Sequence, residues 1–154
     1  ETLSLLDNLQ RAQISIKNDE NLKENKDLDK FLSNINILEK DLITIPVTEL
    51  AAYTVFWDKF LTKHPYFAMK EQIQSKRKIS VSILLQGSSD TPAFNPSTEV
   101  LQRDFQEAYK VMTSQMGHSP LIKTMKEYQT LLENNSFTRS ERISKSLNDI
   151  LDKL

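Results

Sequence analysis

The chain has 154 residues, with 20 basic and 21 acidic side chains and a net charge of -1, which is the size of one ordinary domain and lacks the cationic excess of a dedicated nucleic-acid binder. It contains no cysteine, so disulfides, thiolate metal ligands and a cysteine nucleophile are excluded together. Hydrophobic residues make up 38% and charged residues 27%, with two glycines and five prolines; that composition is globular, poor in turn formers and therefore built from long elements, not from the many turns of an all-β fold.

No apolar run is long enough to span a bilayer, and the N-terminus lacks the basic-then-apolar pattern of a signal peptide. The start at Glu1 points to an excised domain or a processed form, and the missing cysteines favour a reducing, intracellular setting without fixing the compartment.

Leu5, Leu9, Ala12 and Ile16 recur at helical spacing beside Leu6, which predicts a first helix over residues 2–17. The Asn- and Lys-rich stretch from Lys17 to Lys26 reads as a loop. Asp27 then caps a second helix whose face is Leu28, Phe31, Leu32, Ile35, Leu38 and Leu42, and Pro46 ends it. Over residues 47–62 Tyr53, Phe56, Trp57, Phe60 and Leu61 follow the helical rule, and Leu50 and Val55 widen the face, so this helix belongs at the centre of the fold.

Pro65 restarts the chain as a helix carrying Tyr66, Met69, Ile73, Val81 and Leu84 on one side and closing at Gly87, with a short strand as the competing reading of the β-branched run Ile79 to Leu85. Residues 87–97 hold Gly87, Pro92, Pro96 and four Ser or Thr residues, which predicts a long surface loop. Ser97 or Thr98 is expected to cap the next helix, which packs Leu101, Phe105, Ala108, Tyr109, Met112 and Met116 and closes at Gly117. Ser119 followed by Pro120 starts a helix with Leu121, Ile122, Met125, Tyr128 and Leu132, interrupted at Asn134 and Asn135. Thr138 with Glu141 has capping-box spacing and opens a last helix with Ile143, Leu147, Ile150, Leu151 and Leu154 inward.

The expected fold is therefore all-α: one domain over residues 1–154 with six to seven helices, as an irregular antiparallel bundle or a short superhelical stack. Segments 48–72 and 98–129 share the order Thr-Glu, aromatic helix, His, Pro, Met-Lys-Glu, so an internal duplication is an alternative to shared helix grammar.

Candidate sites are few. His64 and His118 stand at turns beside proline-started helices, where capping or solvent exposure accounts for them better than metal or catalysis. Glu24, Asp27 and Asp29 lack the glycine and distal glutamate of a calcium loop and suit a helix N-terminus instead. No nucleophile elbow or glycine-rich phosphate cradle is present, and no cofactor or metal is implied. An enzymatic reading would need Asp58, Tyr66 or Glu107 to converge in a pocket. Asn134-Asn135-Ser136 is a glycosylation sequon if the chain enters a secretory pathway.

Lys70, Lys76, Arg77 and Lys78 form the densest basic stretch, a candidate contact for phosphate, lipid headgroups or an acidic peptide. Phe94 lies in the 87–97 loop without periodic neighbours; it either tucks back to pin the loop or protrudes as an anchor for a partner.

Within Tyr53 to Phe67, the Phe56-Trp57 pair leading into Phe60 and Tyr66-Phe67 resembles the small helical BSD module, found in a general transcription factor and in some membrane-trafficking adaptors. The resemblance spans that segment alone, and core packing is the simpler role for Trp57. By elimination, the leading expectation is a non-enzymatic scaffold or adaptor that binds another protein, and the alternative is an adaptor for nucleic acid or membrane headgroups through the basic helix.

Overall fold

The structure is a computed structural model, and it describes residue 37, residues 40–114 and residues 119–154. Among them are five α-helices, α1 (Val47–Lys63), α2 (Lys70–Gln86), α3 (Arg103–Thr113), α4 (Pro120–Asn134) and α5 (Glu141–Asp152), and a short 3-10 turn at Leu42–Thr44. They pack on one another as a helical bundle without strands among the described residues. The helix predicted over 2–17, most of the one begun at Asp27, and His118, Met116 and Gly117 lie outside the described residues.

Helix α1 is central, as its broad apolar face predicts, and it packs chiefly against α2 and α3. Leu50, Ala51, Val55, Trp57, Phe60 and Leu61 are buried on it. Its contacts with α2 pair Thr54 with Ser80 and Asp58 with Arg77. Rising numbers on one helix meet falling numbers on the other, so the two run antiparallel. From there α3 rests on α4, and α4 on α5.

Several predicted boundaries move, each for a local reason. Leu42–Thr44, expected to end an α-helix, form a 3-10 turn in which Asp41 caps the Ile43 N–H at 3.2 Å. The helix expected from Pro65 begins at Lys70, because residues 64–69 turn twice, with Phe67 N–H donating to the His64 carbonyl and Lys70 N–H to that of Phe67. Those turns send Phe67 and Met69 inward and leave Tyr66, expected on the apolar side, 96% exposed. Ile79 to Leu85 is helix and not strand.

The non-helical segment after α2 runs to Gln102, farther than the predicted loop of 87–97, and it is closely tied. Ala93 N–H donates to the Gln86 carbonyl, Gln102 N–H to that of Ala93, and Gln102 Nε2 to that of Pro92 at 2.6 Å. Ser97 and Thr98 therefore do not cap α3; their own N–H groups donate to Asn95 Oδ1. The segment then pairs with the turn after α4, Leu101 N–H donating to the Phe137 carbonyl and Arg139 N–H to that of Glu99, each at 2.8 Å. That pairing engages Thr138 and leaves Ser140, not Thr138, to cap α5 through Ile143 N–H. Ser119 caps α4 as predicted, with Pro120 behind it. Thr48 and Glu49 start a helix whereas Thr98 and Glu99 lie in the loop, with Glu99 at φ 58°, so the proposed duplication does not extend to backbone conformation there.

Gly87 closes α2 at φ 74° and ψ -157°, a region that only glycine occupies readily. A Cβ at this position would stand 2.5 Å from the Ala93 nitrogen and 2.8 Å from the Pro92 carbonyl carbon. Gly87→Ala is expected to cost about 2 to 3 kcal/mol, from strain and displaced loop backbone together. Urea unfolding measures it, and a loss near zero would mean that the loop return is not fixed at this glycine.

Tyr109 and Tyr128 meet in the core between α3 and α4, their ring centroids 5.9 Å apart. Tyr109 donates to the Leu84 carbonyl at 2.7 Å, satisfying an acceptor in the last turn of α2. Burial pushes both phenols above their ordinary value, since the phenolate would be desolvated. With the folded pKa above the unfolded one, their stabilising contribution is complete below the unfolded value of about 10 and is lost as pH rises past it. Two such groups give a slope of about 2.7 kcal/mol per pH unit. Urea midpoints that stay flat from about pH 10 to 11 would show that these phenols ionise freely in the folded chain.

Candidate functional site

The five residues that the sequence singles out for partner binding are not brought together. Phe94 is 8% exposed and tucks back, bridged to Leu101, with the Arg139 guanidinium 5.6 Å from its ring centroid. It pins the loop and does not protrude. On α2, Arg77 turns toward α1 and pairs with Asp58 at 2.8 Å. Lys76 donates from Nζ to the Lys40 carbonyl at 3.2 Å, and Lys78 is exposed about 200° around the helix from Lys76. Lys70, half-buried, lies in the first turn. Lys70 and Arg77, seven residues apart, fall on one face of α2 as their spacing predicts, but Arg77 is engaged by Asp58 and Lys76 by the Lys40 carbonyl.

The residues needed for an enzymatic site are similarly apart. Asp58 is 3% exposed and paired with Arg77, Tyr66 stands in water on the α1–α2 turn, and Glu107 lies on α3 with Lys110 3.6 Å away. His64 is 5% exposed, contrary to the solvent-exposed reading: its ring lies 4.8 Å from that of Phe60 and its buried Nε2 has no hydrogen-bond partner. Among the described residues no group of three His, Asp or Glu side chains could hold a metal ion. No helix there is long and apolar enough to cross a membrane.

A groove that the sequence reading missed lies where three separate segments meet: the 3-10 turn with the start of α1, the C-terminal end of α2, and the start of α3. Phe105 and Ile45, both buried, form its floor, and Ile43, Val47 and Ile83 its apolar walls. Hydroxyl-bearing residues complete the rim, but two of the hydroxyls are engaged locally: Thr44 Oγ1 donates to the Asp41 carbonyl, and Ser88 Oγ accepts from Thr91 N–H. Asp104, in the first turn of α3, is the one ionisable group among the described lining residues.

The apolar wall continues outside the groove. Ile79, outside the groove lining, is one turn before Ile83 on the same side of α2 and is 46% exposed, and Ile43 in the lining is 58% exposed. The Lys76 contact with Lys40 brings the chain before the 3-10 turn alongside this face of the helix. Of the four large hydrophobic residues that are exposed among those described, Ile43 lines the groove and Ile79 stands one helical turn from its lining residue Ile83, whereas Tyr66 and Val100 stand on a turn and a loop.

The sequence carried a signal for this surface. Ile73, Ser80, Val81, Leu84 and Leu85 form the buried stripe of α2, and Ile79 and Ile83 fall to one side of it at i, i+4 spacing. Ile83 packs partly against the core, which leaves Ile79 as the exposed apolar residue on that side. Comparison with family models, with curated proteins and with solved structures finds no match to this chain, and the short BSD resemblance gains no support from it.

Proposed function

We propose that this domain is a non-enzymatic interaction module, a scaffold or adaptor that takes a segment of another protein into the groove beside Ile43, Ile79 and Ile83. The observation that carries the reading is exposed Ile43 in the lining of a formed groove with exposed Ile79 one turn from its lining residue Ile83, while most other large apolar side chains among the described residues are buried or half-buried. Exposed apolar side chains around a concavity cost solubility and are covered in an assembly. The fitting occupant is a segment with apolar side chains for the walls and a basic group for the rim carboxylate of Asp104. The finer architecture that goes with this reading is an irregular antiparallel bundle with the groove at one end of the α1–α2 pair.

The alternative, an adaptor for nucleic acid or anionic lipid through Lys70, Lys76, Arg77 and Lys78, has weaker support. Arg77 is neutralised by Asp58, and the other three do not converge. Binding through such cations would fall steeply with salt, whereas apolar docking would not.

The test is co-purification of partners by the wild-type chain and by Ile43→Gln/Ile79→Gln, at low and high salt. Both substituted positions are exposed, so each change is expected to alter stability by less than about 0.5 kcal/mol. A specific partner should be retained at least tenfold less by the double variant, which corresponds to about 1.4 kcal/mol. Equal retention by the two proteins would rule out this surface.

A further inference from the structure

We infer that Asp104 sets the specificity of the groove, and that the segment docking there carries a lysine or arginine next to its apolar side chains. This rests on the interaction-module reading and adds the charge of the partner to it. Asp104 is exposed and makes no ion pair among the described residues, although it stands at the edge of a groove floored by buried Phe105. The start of α3 favours an acidic residue through its dipole, which explains why a carboxylate is tolerated there. The dipole does not supply the carboxylate with a partner. When an apolar segment fills the groove, water is withdrawn from around that charge, and a cation from the segment is the group that compensates it best. An acidic segment would place like charges together in the same partly desolvated space and be rejected.

The charge is also unopposed within the groove. The other described lining residues are aliphatic, aromatic, proline or hydroxyl-bearing, so no lining cation opposes Asp104 or offers an acidic segment an ion pair. Arg103, next to Asp104 in the chain, is exposed but is not among the described lining residues, and Lys76 on α2 is held on the Lys40 carbonyl. Selectivity for a cationic segment therefore falls to this single side chain.

The experiment is selection of a random peptide library displayed on phage against the folded full chain, followed by binding of the recovered peptides to variants. Enriched peptides should share large apolar residues with a Lys or Arg. Ile43→Gln/Ile79→Gln should weaken them at least tenfold at any salt concentration. Asp104→Asn should weaken the same peptides several-fold at low salt and little at high salt, and selection against Asp104→Lys should replace the basic residue with Asp or Glu. Asp104→Asn removes the charge without placing a cation at the start of α3, so folding, checked by circular dichroism, is preserved. Peptides lost on the isoleucine variant but indifferent to both Asp104 variants would overturn the charge inference and leave the docking surface standing. Failure to enrich any peptide sensitive to the isoleucine variant would overturn both.

Discussion

Replacing Trp57 with alanine is expected to cost roughly 3 to 5 kcal/mol, the range for removing a large buried aromatic side chain. The ring is 1% exposed at the centre of the bundle and lies nearly parallel to that of Tyr53, with centroids 6.1 Å apart and an interplanar angle of 25°. It sits on α1, which contacts both α2 and α3, so a cavity there is walled by elements that would all have to move to close it. A domain of this size is stable by about 5 to 15 kcal/mol, and the substitution would remove a large part of that. Trp57 is the single tryptophan of the chain, so its fluorescence reports unfolding of the wild type, while circular dichroism follows both proteins in urea. Trp57→Phe, which keeps most of the buried area, is expected to lose less than about 2 kcal/mol. A loss below about 1 kcal/mol for the alanine variant would place the ring outside the packed core and make the aromatic segment 53–67 a candidate contact surface.

How much of this was legible in the sequence depended on whether the deciding interactions were local. Ser119-Pro120 was readable because cap and proline are adjacent and act on the helix they begin. The central place of Val47–Lys63 was readable because most of its 17 residues are apolar or aromatic and surround much of its circumference. Ser97, Thr98 and Thr138 were misread because each has good capping chemistry but is held elsewhere: Asn95 ties the first two into a turn, and Thr138 pairs across to Val100. The Asn95 turn is local and competes with a helix cap for the same two residues, whereas no spacing rule reports the pairing of Thr138 with Val100, far apart in sequence. The groove stayed hidden for the same reason, since Ile43, Ile83 and Asp104 belong to three segments that only the packing of α2 and α3 on α1 brings together. The β-branched run in α2 was seen, but its meaning was a helix that buries Val81, Leu84 and Leu85 and leaves Ile79 exposed beside them, not strand propensity.

Arg77→Ala is expected to cost roughly 2 to 4 kcal/mol, because it strands a charge that the fold has taken out of water. Asp58 has a side chain 4% exposed and receives Arg77 Nη1 on one oxygen at 2.8 Å, while its other oxygen has no hydrogen-bond partner. The figure falls below the full cost for breaking a buried pair because Arg77 itself remains 31% exposed and keeps part of its hydration. Removing both charges, as Asp58→Leu with Arg77→Met, should restore stability to within about 1 kcal/mol of wild type, since no isolated ion is left behind. That non-additivity separates an ion pair from two independent losses. Lys78→Ala, at the exposed neighbouring residue, should change stability by less than about 0.5 kcal/mol. If Arg77→Ala proved equally neutral, Asp58 would not depend on Arg77, the guanidinium would be free to reach an external anion, and the anionic-surface reading would regain its strongest residue. The expected cost instead assigns Arg77 to holding α2 against α1, the packing that sets Ile83 and Ile43 in the lining of one groove.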